Sequence, residues 1–166
     1  IDAGTTGVRS FAIDERGTPL GHTYREFTQH FPQAGWVEHD ADEIWDALVT
    51  TLAELVATLD QPIAAIGITD QRETAVLWDK STGRPKHRAI VWQDRRTAAR
   101  CEQLEAEGAR DLVRSTTGLV LDPYFSASKV EWMLTTGGVE VDDNLAFGTI
   151  DSWLVWKLTG GAHITD

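Results

Sequence analysis

The sequence is poor in cysteine, in basic residues and in long apolar runs, and each shortage excludes a class of function. Its single cysteine, Cys101, excludes a disulfide framework or a multi-cysteine metal site within the chain and fits a reducing cytoplasm. Fifteen Lys and Arg residues against 26 Asp and Glu residues give a formal net charge of −11, so general binding to nucleic acid is not expected. No apolar run approaches the roughly 20 residues that span a bilayer, so no membrane partner is expected.

The residues that are present are typical of a globular chain. Of 166 residues, 42% are hydrophobic and 25% are charged, with 14 glycines and only 5 prolines, a balance that is neither fibrous nor disordered. The chain opens with Ile1 and Asp2 running into Gly4, which we interpret as the end of a buried strand, and it stops at Asp166 without a closing element. We therefore expect residues 1–166 to be part of a longer protein.

Apolar periodicity and turn residues predict an α/β fold with a mixed sheet, in which a β-meander is followed by alternating helices and strands. Residues 8–14 and 20–27 are predicted to pair around a turn at 15–19, and the strand that ends at Ile1 completes the meander. Further strands are predicted at 63–68, 74–79, 89–92 and 147–150, and further helices at 95–108, 109–115, 126–134 and 152–158.

The strongest helical pattern covers residues 41–59, where apolar residues recur every three or four positions. Asp40 is predicted to be its N-cap, and Glu43 to complete a capping box. A helix followed by a strand implies a crossover back into the sheet. In the later helices, the arginine pair at 95–96 is expected at an exposed helix start and Lys129 on a polar helix face.

The first motif with chemical meaning is the segment Asp2–Arg9, in which a carboxylate at a strand end is followed by a Gly-Thr-Thr-Gly turn. The carboxylate can hold a hydrated Mg²⁺, and the amides of such a turn can cradle a phosphate. The hydroxyls of Thr5 and Thr6 can donate to phosphate oxygens, and Arg9 can supply positive charge. A plain hairpin turn explains the same residues, and neither a P-loop nor a dinucleotide fingerprint is present.

Three further loops carry candidate ligand-binding residues. Arg72 and Glu73 follow a predicted strand and offer a donor fork beside an acceptor, which suits the vicinal hydroxyls of a polyol, although a solvated turn is an equal alternative. Trp92 ends another strand and can cover the carbon face of a polyol, or can simply be core. Tyr124 precedes a helix and is either a pocket residue or surface packing. The five histidines lack the spacing of metal ligands.

Taken together, these segments resemble the FGGY family of carbohydrate kinases. The matching segments are Asp2–Thr6, Pro32–Asp40, Gly67–Thr74, Ile90–Arg96, Thr117–Leu119, Asp122–Ser126, Phe147–Leu154 and His163–Asp166, which extend over nearly the whole chain. The first is shared with many actin-like ATPases. The segments Gln71–Thr74 and Trp92–Arg96 are more specific, and they resemble the members that act on glycerol.

The resemblance implies a ribonuclease-H-like, actin-type fold with two lobes around a cleft, in which residues 1–166 are an incomplete N-terminal lobe and the C-terminal nucleotide lobe is absent. It implies ATP-dependent phosphorylation of glycerol to sn-glycerol 3-phosphate, with Mg²⁺, by a cytoplasmic and homo-oligomeric full-length protein. The general base is expected beyond Asp166. No catalytic residue is therefore assigned within the chain, and the chain alone is expected to be inactive.

The resemblance also assigns two sets of binding residues. The set expected to face the ATP phosphates comprises Thr5, Thr6, Gly7 and Arg9, with Asp2 near the metal. The set expected to hold glycerol comprises Arg72, Glu73 and Tyr124, with Trp92 over the carbon side. Three alternatives stay open: an FGGY kinase for another polyol or sugar, a non-catalytic actin-like nucleotide-binding module, and a simple interaction domain.

Overall fold

A computed structural model describes residues 1–165 as eight strands and five helices. The elements are, in chain order, β1 (Asp2–Ala3), β2 (Gly7–Ile13), β3 (Pro19–Glu26), β4 (Glu38–His39), α1 (Ala41–Val56), β5 (Thr69–Asp70), β6 (Val76–Asp79), β7 (Ala89–Ile90), α2 (Ala98–Ala106), α3 (Arg110–Thr117), α4 (Ser126–Thr135), β8 (Leu145–Gly148) and α5 (Ile150–Thr159). Within residues 1–165, no helix is long and apolar enough to cross a membrane. Asp166, the last residue of the matching segment His163–Asp166, lies outside the described residues.

The first half of the chain forms a mixed four-stranded sheet in the order β3-β2-β1-β5. β1 pairs antiparallel with β2, with Asp2 opposite Arg9, and β2 pairs antiparallel with β3, with Gly7 opposite Glu26. β5 pairs with β1 in parallel. A parallel pair needs a crossover connection, and α1 lies in it. The predicted meander and the predicted crossover are both confirmed.

The main core lies where α1 packs on this sheet. Ile44 and Leu48 of α1 are fully buried in one cluster with Val8 of β2, and the indole of Trp153 from α5 closes the same cluster. A polar contact lies within this interface, where the hydroxyl of Thr51 is 2.9 Å from the hydroxyl of Ser10. The apolar stripe that predicted α1 therefore faces the core, as a period of 3.6 residues requires.

The two ends of α1 differ from the prediction in detail. Asp40 is the N-cap, as predicted, and its carboxylate accepts a hydrogen bond from the amide of Asp42 at 2.9 Å. The predicted capping box is wrong, because the Glu43 carboxylate accepts from the amide of Thr28 at 2.9 Å, in a loop that packs beside the helix. The helix ends at Val56 rather than at residue 59, since the chain turns at 57–58.

The predicted strand at 63–68 is wrong. Residues 62–68 have no regular structure, and strand pairing begins only at Thr69. The register places Asp2 opposite Thr69, and the Ile1 ammonium donates to the Gly67 carbonyl at 2.8 Å. Ile63 and Ile66 are 44% and 48% exposed.

The other predicted elements are present with shifted ends. The strands predicted at 74–79, 89–92 and 147–150 correspond to β6, β7 and β8, and the helices predicted at 95–108, 109–115, 126–134 and 152–158 correspond to α2, α3, α4 and α5. β6 and β8 form one antiparallel ribbon, β4 and β7 form another, and an Ala75–Ile90 bridge links the two. Beneath them, Met133 of α4 packs with Leu77 and Ile90 in a second core cluster.

Two basic residues expected at the surface are buried. The Arg96 side chain is fully buried, with its guanidinium 3.9 Å and 4.5 Å from the ring centroids of Trp36 and Trp132. Lys129 is also fully buried, and its ammonium donates to the carbonyl oxygens of residues 123, 124 and 125. Burial lowers the pKa of Lys129 to about 8. Both predictions of exposure are wrong, because partners distant in sequence, or a loop that folds back, satisfy these charges.

Candidate functional site

The turn between β1 and β2, at residues 4–6, is held by hydrogen bonds to its carbonyl groups. The side-chain amide of Gln71 donates to the Gly4 carbonyl at 3.2 Å, and that of Gln29 donates to the Thr5 carbonyl at 2.9 Å. The acceptors of the turn are thus occupied by protein donors. Its hydroxyl and amide donors are the groups that it can offer to a ligand, and donors are what an anion needs.

Gly7 follows this turn at a point of close packing. A Cβ atom at Gly7 would lie 2.6 Å from the Arg25 carbonyl oxygen and 2.6 Å from the Tyr24 hydroxyl, both on β3. Only glycine fits this contact. The structure therefore gives Gly7 a packing role that sets how closely the turn approaches β3.

Asp2 and Arg9 are exposed neighbours on β1 and β2 and lie opposite each other in the strand register. The Asp2 carboxylate faces the turn, since a Cβ atom at Gly4 would lie 3.8 Å from Asp2 Oδ1. The Arg9 guanidinium lies 5.4 Å from the ring centroid of Tyr24, whose hydroxyl is 3.4 Å from the hydroxyl of Thr6. The sequence analysis missed Tyr24, although the hairpin register alone places it beside Arg9.

Glu73 occupies a strained turn and anchors a helix. Its φ of 67° lies in the left-handed region, which costs free energy for a residue other than glycine. Its Oε2 atom accepts hydrogen bonds from the amide of Ser126 at 3.0 Å and from the Ser126 hydroxyl at 2.8 Å, at the start of α4. No hydrogen bond within residues 1–165 uses Oε1, and the neighbouring Arg72 is exposed.

Trp92 links the candidate polyol residues to the turn. Its indole N–H donates to the Thr5 hydroxyl at 3.0 Å, and its ring packs edge-on against the ring of Tyr124, with centroids 5.8 Å apart. The loop that carries Tyr124 is fixed by the bonds from the Lys129 ammonium to its carbonyl groups. Trp92 therefore contacts both Thr5 and Tyr124.

The remaining candidates lie at different distances from this group. Glu73 contacts the loop after Tyr124 through Ser126, whereas Asp2, Thr6 and Arg9 lie on the exposed side of β1, the turn and β2.

Among residues 1–165, no group of three or more His, Cys, Asp or Glu residues is placed to hold a metal. A hydrated Mg²⁺ does not require such a group, since it is bound through one or two carboxylates and through phosphate oxygens.

The sequence analysis also missed His39, which is fully buried at the end of β4. Its two ring nitrogens contact the two glutamines that hold the turn: Nε2 lies 2.6 Å from Gln29 Oε1, and Nδ1 lies 3.1 Å from Gln71 Nε2. Burial is the main cause, and nearby His30 a smaller one, of a pKa of His39 that is lowered to about 4, although Glu43 acts in the opposite direction. His39 is therefore neutral at pH 7.

Comparison with known proteins defines the class of this fold. It closely matches the crystal structure of Plasmodium falciparum glycerol kinase with ADP, with a TM-score of 0.96 and 32% identity over 100% of this chain and 35% of that one. It also matches the xylulose kinase of Rhodospirillum rubrum, with a TM-score of 0.88 and 24% identity over 99% of this chain and 35% of that one. The predicted α/β class and the actin-type fold are confirmed.

The chain belongs to the FGGY family of carbohydrate kinases, and residues 1–166 match the model of the N-terminal domain of that family. Among curated relatives, the glycerol kinase of Bacillus velezensis is 51% identical over 100% of this chain and 35% of its own length. The glycerol kinase of Aeromonas hydrophila subsp. hydrophila is 52% identical over the same shares. The chain therefore spans about a third of the length of these relatives.

Proposed function

We propose that residues 1–166 are the glycerol-binding part of a kinase that transfers the γ-phosphate of ATP to glycerol and forms sn-glycerol 3-phosphate. The observation that carries this proposal is the hydrogen bond from the Trp92 indole to the Thr5 hydroxyl. This bond places an aromatic wall suited to a small polyol directly beside a turn suited to a phosphate. The high identity to two named glycerol kinases supports glycerol as the substrate.

In this proposal, Trp92 and Tyr124 cover the carbon side of glycerol, while Glu73 and Arg72 bind its hydroxyl groups. Glu73 is suited to that role because Ser126 bonds only to its Oε2 atom, which leaves Oε1 to accept from a hydroxyl. The strained backbone of Glu73 supports the proposal too, since such strain is concentrated at binding sites.

On the phosphate side, Thr5, Thr6 and the amides around Gly7 would donate to the terminal phosphates, and Arg9 would balance their charge. Asp2 suits a hydrated Mg²⁺, since it offers one exposed carboxylate that faces the turn. When bound, the ion would neutralise charge on the phosphates. Phosphoryl transfer depends mainly on positioning and charge neutralisation. The general base and the nucleotide lobe are proposed to lie in sequence beyond Asp166.

The test uses the complete gene product that contains residues 1–166 and measures ADP release with glycerol, erythritol and xylulose. We expect release to depend on glycerol. We expect Glu73→Gln to raise the KM for glycerol about 10- to 100-fold, since a hydrogen bond to a charged group contributes about 1.5–3 kcal/mol. Glu54→Gln, at an exposed position on α1, is the matched control and should leave KM unchanged.

Each outcome bears on a separate part of the proposal. If the protein prefers erythritol or xylulose, the proposal that glycerol is the substrate is wrong, whereas the proposal that the protein is a kinase of this family stands. An unchanged KM in Glu73→Gln would remove Glu73 from the site. ATP binding without turnover of any of the three acceptors would favour a non-catalytic nucleotide-binding module.

A further inference from the structure

We propose that His39 is a positioning residue, which fixes the phosphate-binding turn through Gln29 and Gln71 and joins it to the Trp92 wall. The inference rests on the proposed function only in assigning residues 4–6 to a phosphate. His39 would act on a bound phosphate only indirectly, because its ring contacts the two glutamines and the glutamines contact the turn.

The direction of each hydrogen bond follows from the two carbonyl groups of the turn. The Gln29 amide nitrogen donates to the Thr5 carbonyl, so Gln29 Oε1 must accept from His39 Nε2–H. His39 Nδ1 is then an acceptor for the second N–H of the Gln71 amide, whose other N–H bonds to Gly4. One neutral tautomer of the histidine satisfies both glutamines at once.

The same chain of bonds continues to Trp92 and closes into a ring. Gln71 Oε1 accepts from the Thr74 hydroxyl at 3.0 Å, and the Thr74 oxygen accepts from the Trp92 amide at 3.3 Å. The Trp92 indole N–H then donates to the Thr5 hydroxyl at 3.0 Å. The ring thus passes through both candidate subsites, and His39 is one of its fully buried members.

The ring has a direct consequence for the Thr5 hydroxyl. Its oxygen accepts from the indole of Trp92, so its own hydrogen is directed elsewhere and can donate to a phosphate oxygen. Its carbonyl is held by Gln29 at the same time. His39 therefore pre-organises a donor, and a pre-organised donor binds more tightly because less conformational freedom is lost on binding.

Burial explains why histidine suits this position. At pH 7 the ring is neutral, which keeps Nδ1 an acceptor for Gln71. An asparagine can reproduce the Nδ1 contact and a glutamine the Nε2 contact, since their amide groups reach about as far as the corresponding ring nitrogens. A leucine can reproduce neither.

The test measures the Kd for ATP by titration calorimetry on the complete gene product that contains residues 1–166. We expect His39→Leu to raise this Kd about tenfold, since two hydrogen bonds of the ring are lost. His39→Asn and His39→Gln should each recover part of the loss, because each keeps one contact. The control is His22→Leu, at an exposed position on β3, which should bind ATP like the wild type.

A general loss of stability is separated from positioning by a second variant, Gln29→Met, at a half-buried position. It removes the bond to the Thr5 carbonyl and leaves the histidine in place, so it should also raise the Kd when both proteins are titrated at a temperature at which unfolding curves show them fully folded. A Kd in His39→Leu within twofold of the wild-type value would overturn the inference. So would equal effects of His39→Leu, His39→Asn and His39→Gln.

These outcomes are independent of the acceptor substrate. If the wild type binds ATP and His39→Leu weakens that binding, the inference stands even when glycerol is not phosphorylated and the proposed function fails. If glycerol is phosphorylated and the variants bind ATP like the wild type, the proposed function stands and the inference fails. A wild type that does not bind ATP would overturn both.

Discussion

Removing the buried guanidinium of Arg96 should destabilise the fold strongly, whereas removing its neighbour Arg95 should not. The Arg96 side chain is fully buried and donates to Asp94 and Glu38 at 2.8 Å each. Arg95 is 57% exposed and lies 3.3 Å from Asp122, whose side chain is partly exposed. The two adjacent arginines therefore serve as a matched pair, one with a buried ion pair and one with an exposed ion pair. The substitutions are Arg96→Met and Arg95→Met.

The magnitude follows from what each carboxylate would keep. Removing one partner of a buried ion pair costs about 3–5 kcal/mol. Asp94 would keep the Val37 amide, at 2.6 Å, and the amide of residue 96, while Glu38 would keep only Arg88, at 4.0 Å. We therefore expect the lower end of that range, about 3 kcal/mol. Arg95→Met should cost less than about 1 kcal/mol, as for an exposed pair.

The assay is urea unfolding of the protein, followed by tryptophan fluorescence, with the slope of the transition compared between variants. The chain has seven tryptophans, and two of them, Trp36 and Trp132, flank the guanidinium, so the emission follows unfolding of the fold that includes this site. An Arg96→Met variant within about 1 kcal/mol of the wild type would refute the reasoning, because a paired charge in a dry interior cannot lose its partner at so little cost. Equal losses in both variants would refute it as well.

Two further predictions concern pH and packing. His39 has a pKa of about 4 in the folded protein against 6.5 for the free side chain. The unfolded chain therefore takes up a proton first as the pH falls, and the free energy of unfolding should decrease by up to about 3 kcal/mol between pH 6.5 and pH 4. Urea unfolding at several pH values checks this, and His39→Asn should remove the contribution of His39 to the pH dependence. Gly7→Ala should cost about 1–3 kcal/mol through overpacking against Tyr24. Gly4→Ala, where the nearest atom is 3.5 Å from the added Cβ, should cost less; equal unfolding temperatures for the two variants would contradict this.

Elements with a strong local signal were predictable from the sequence. The hairpin of β2 and β3 differs from the predicted 8–14 and 20–27 by one residue at each end, because alternation and turn residues are local properties. α1 begins where Asp40 indicates, because the N-cap bond to residue 42 is also local. The prediction of a strand at 63–68 was wrong because strand formation depends on pairing with another segment, and the apolar pattern of residues 63–68 carries no information about such a partner.

The residues of the candidate site were predictable from the sequence, but the contacts and hydrogen bonds between them were not. Trp92, Tyr124 and Thr5 were selected because they follow predicted strands or precede a helix, and in the structure Trp92 contacts both Thr5 and Tyr124. Their roles in binding remain predictions. His39 was not selected, since a lone histidine in a sequence carries no signal of what its two nitrogens contact.

The sequence by itself determined the family, the order of the elements and the positions of the polar loops, because periodicity, capping residues and motifs are all written along the chain. Only the tertiary structure decided which charged side chains are buried and which distant residues form hydrogen bonds with each other. Arg96 and Lys129 carry the polar character of surface residues, yet both are buried, because Glu38 pairs with Arg96 and the carbonyl groups of residues 123–125 accept from Lys129 in place of water. The same reason makes His39 part of the candidate site, since segments 10 and 32 residues away supply its partners.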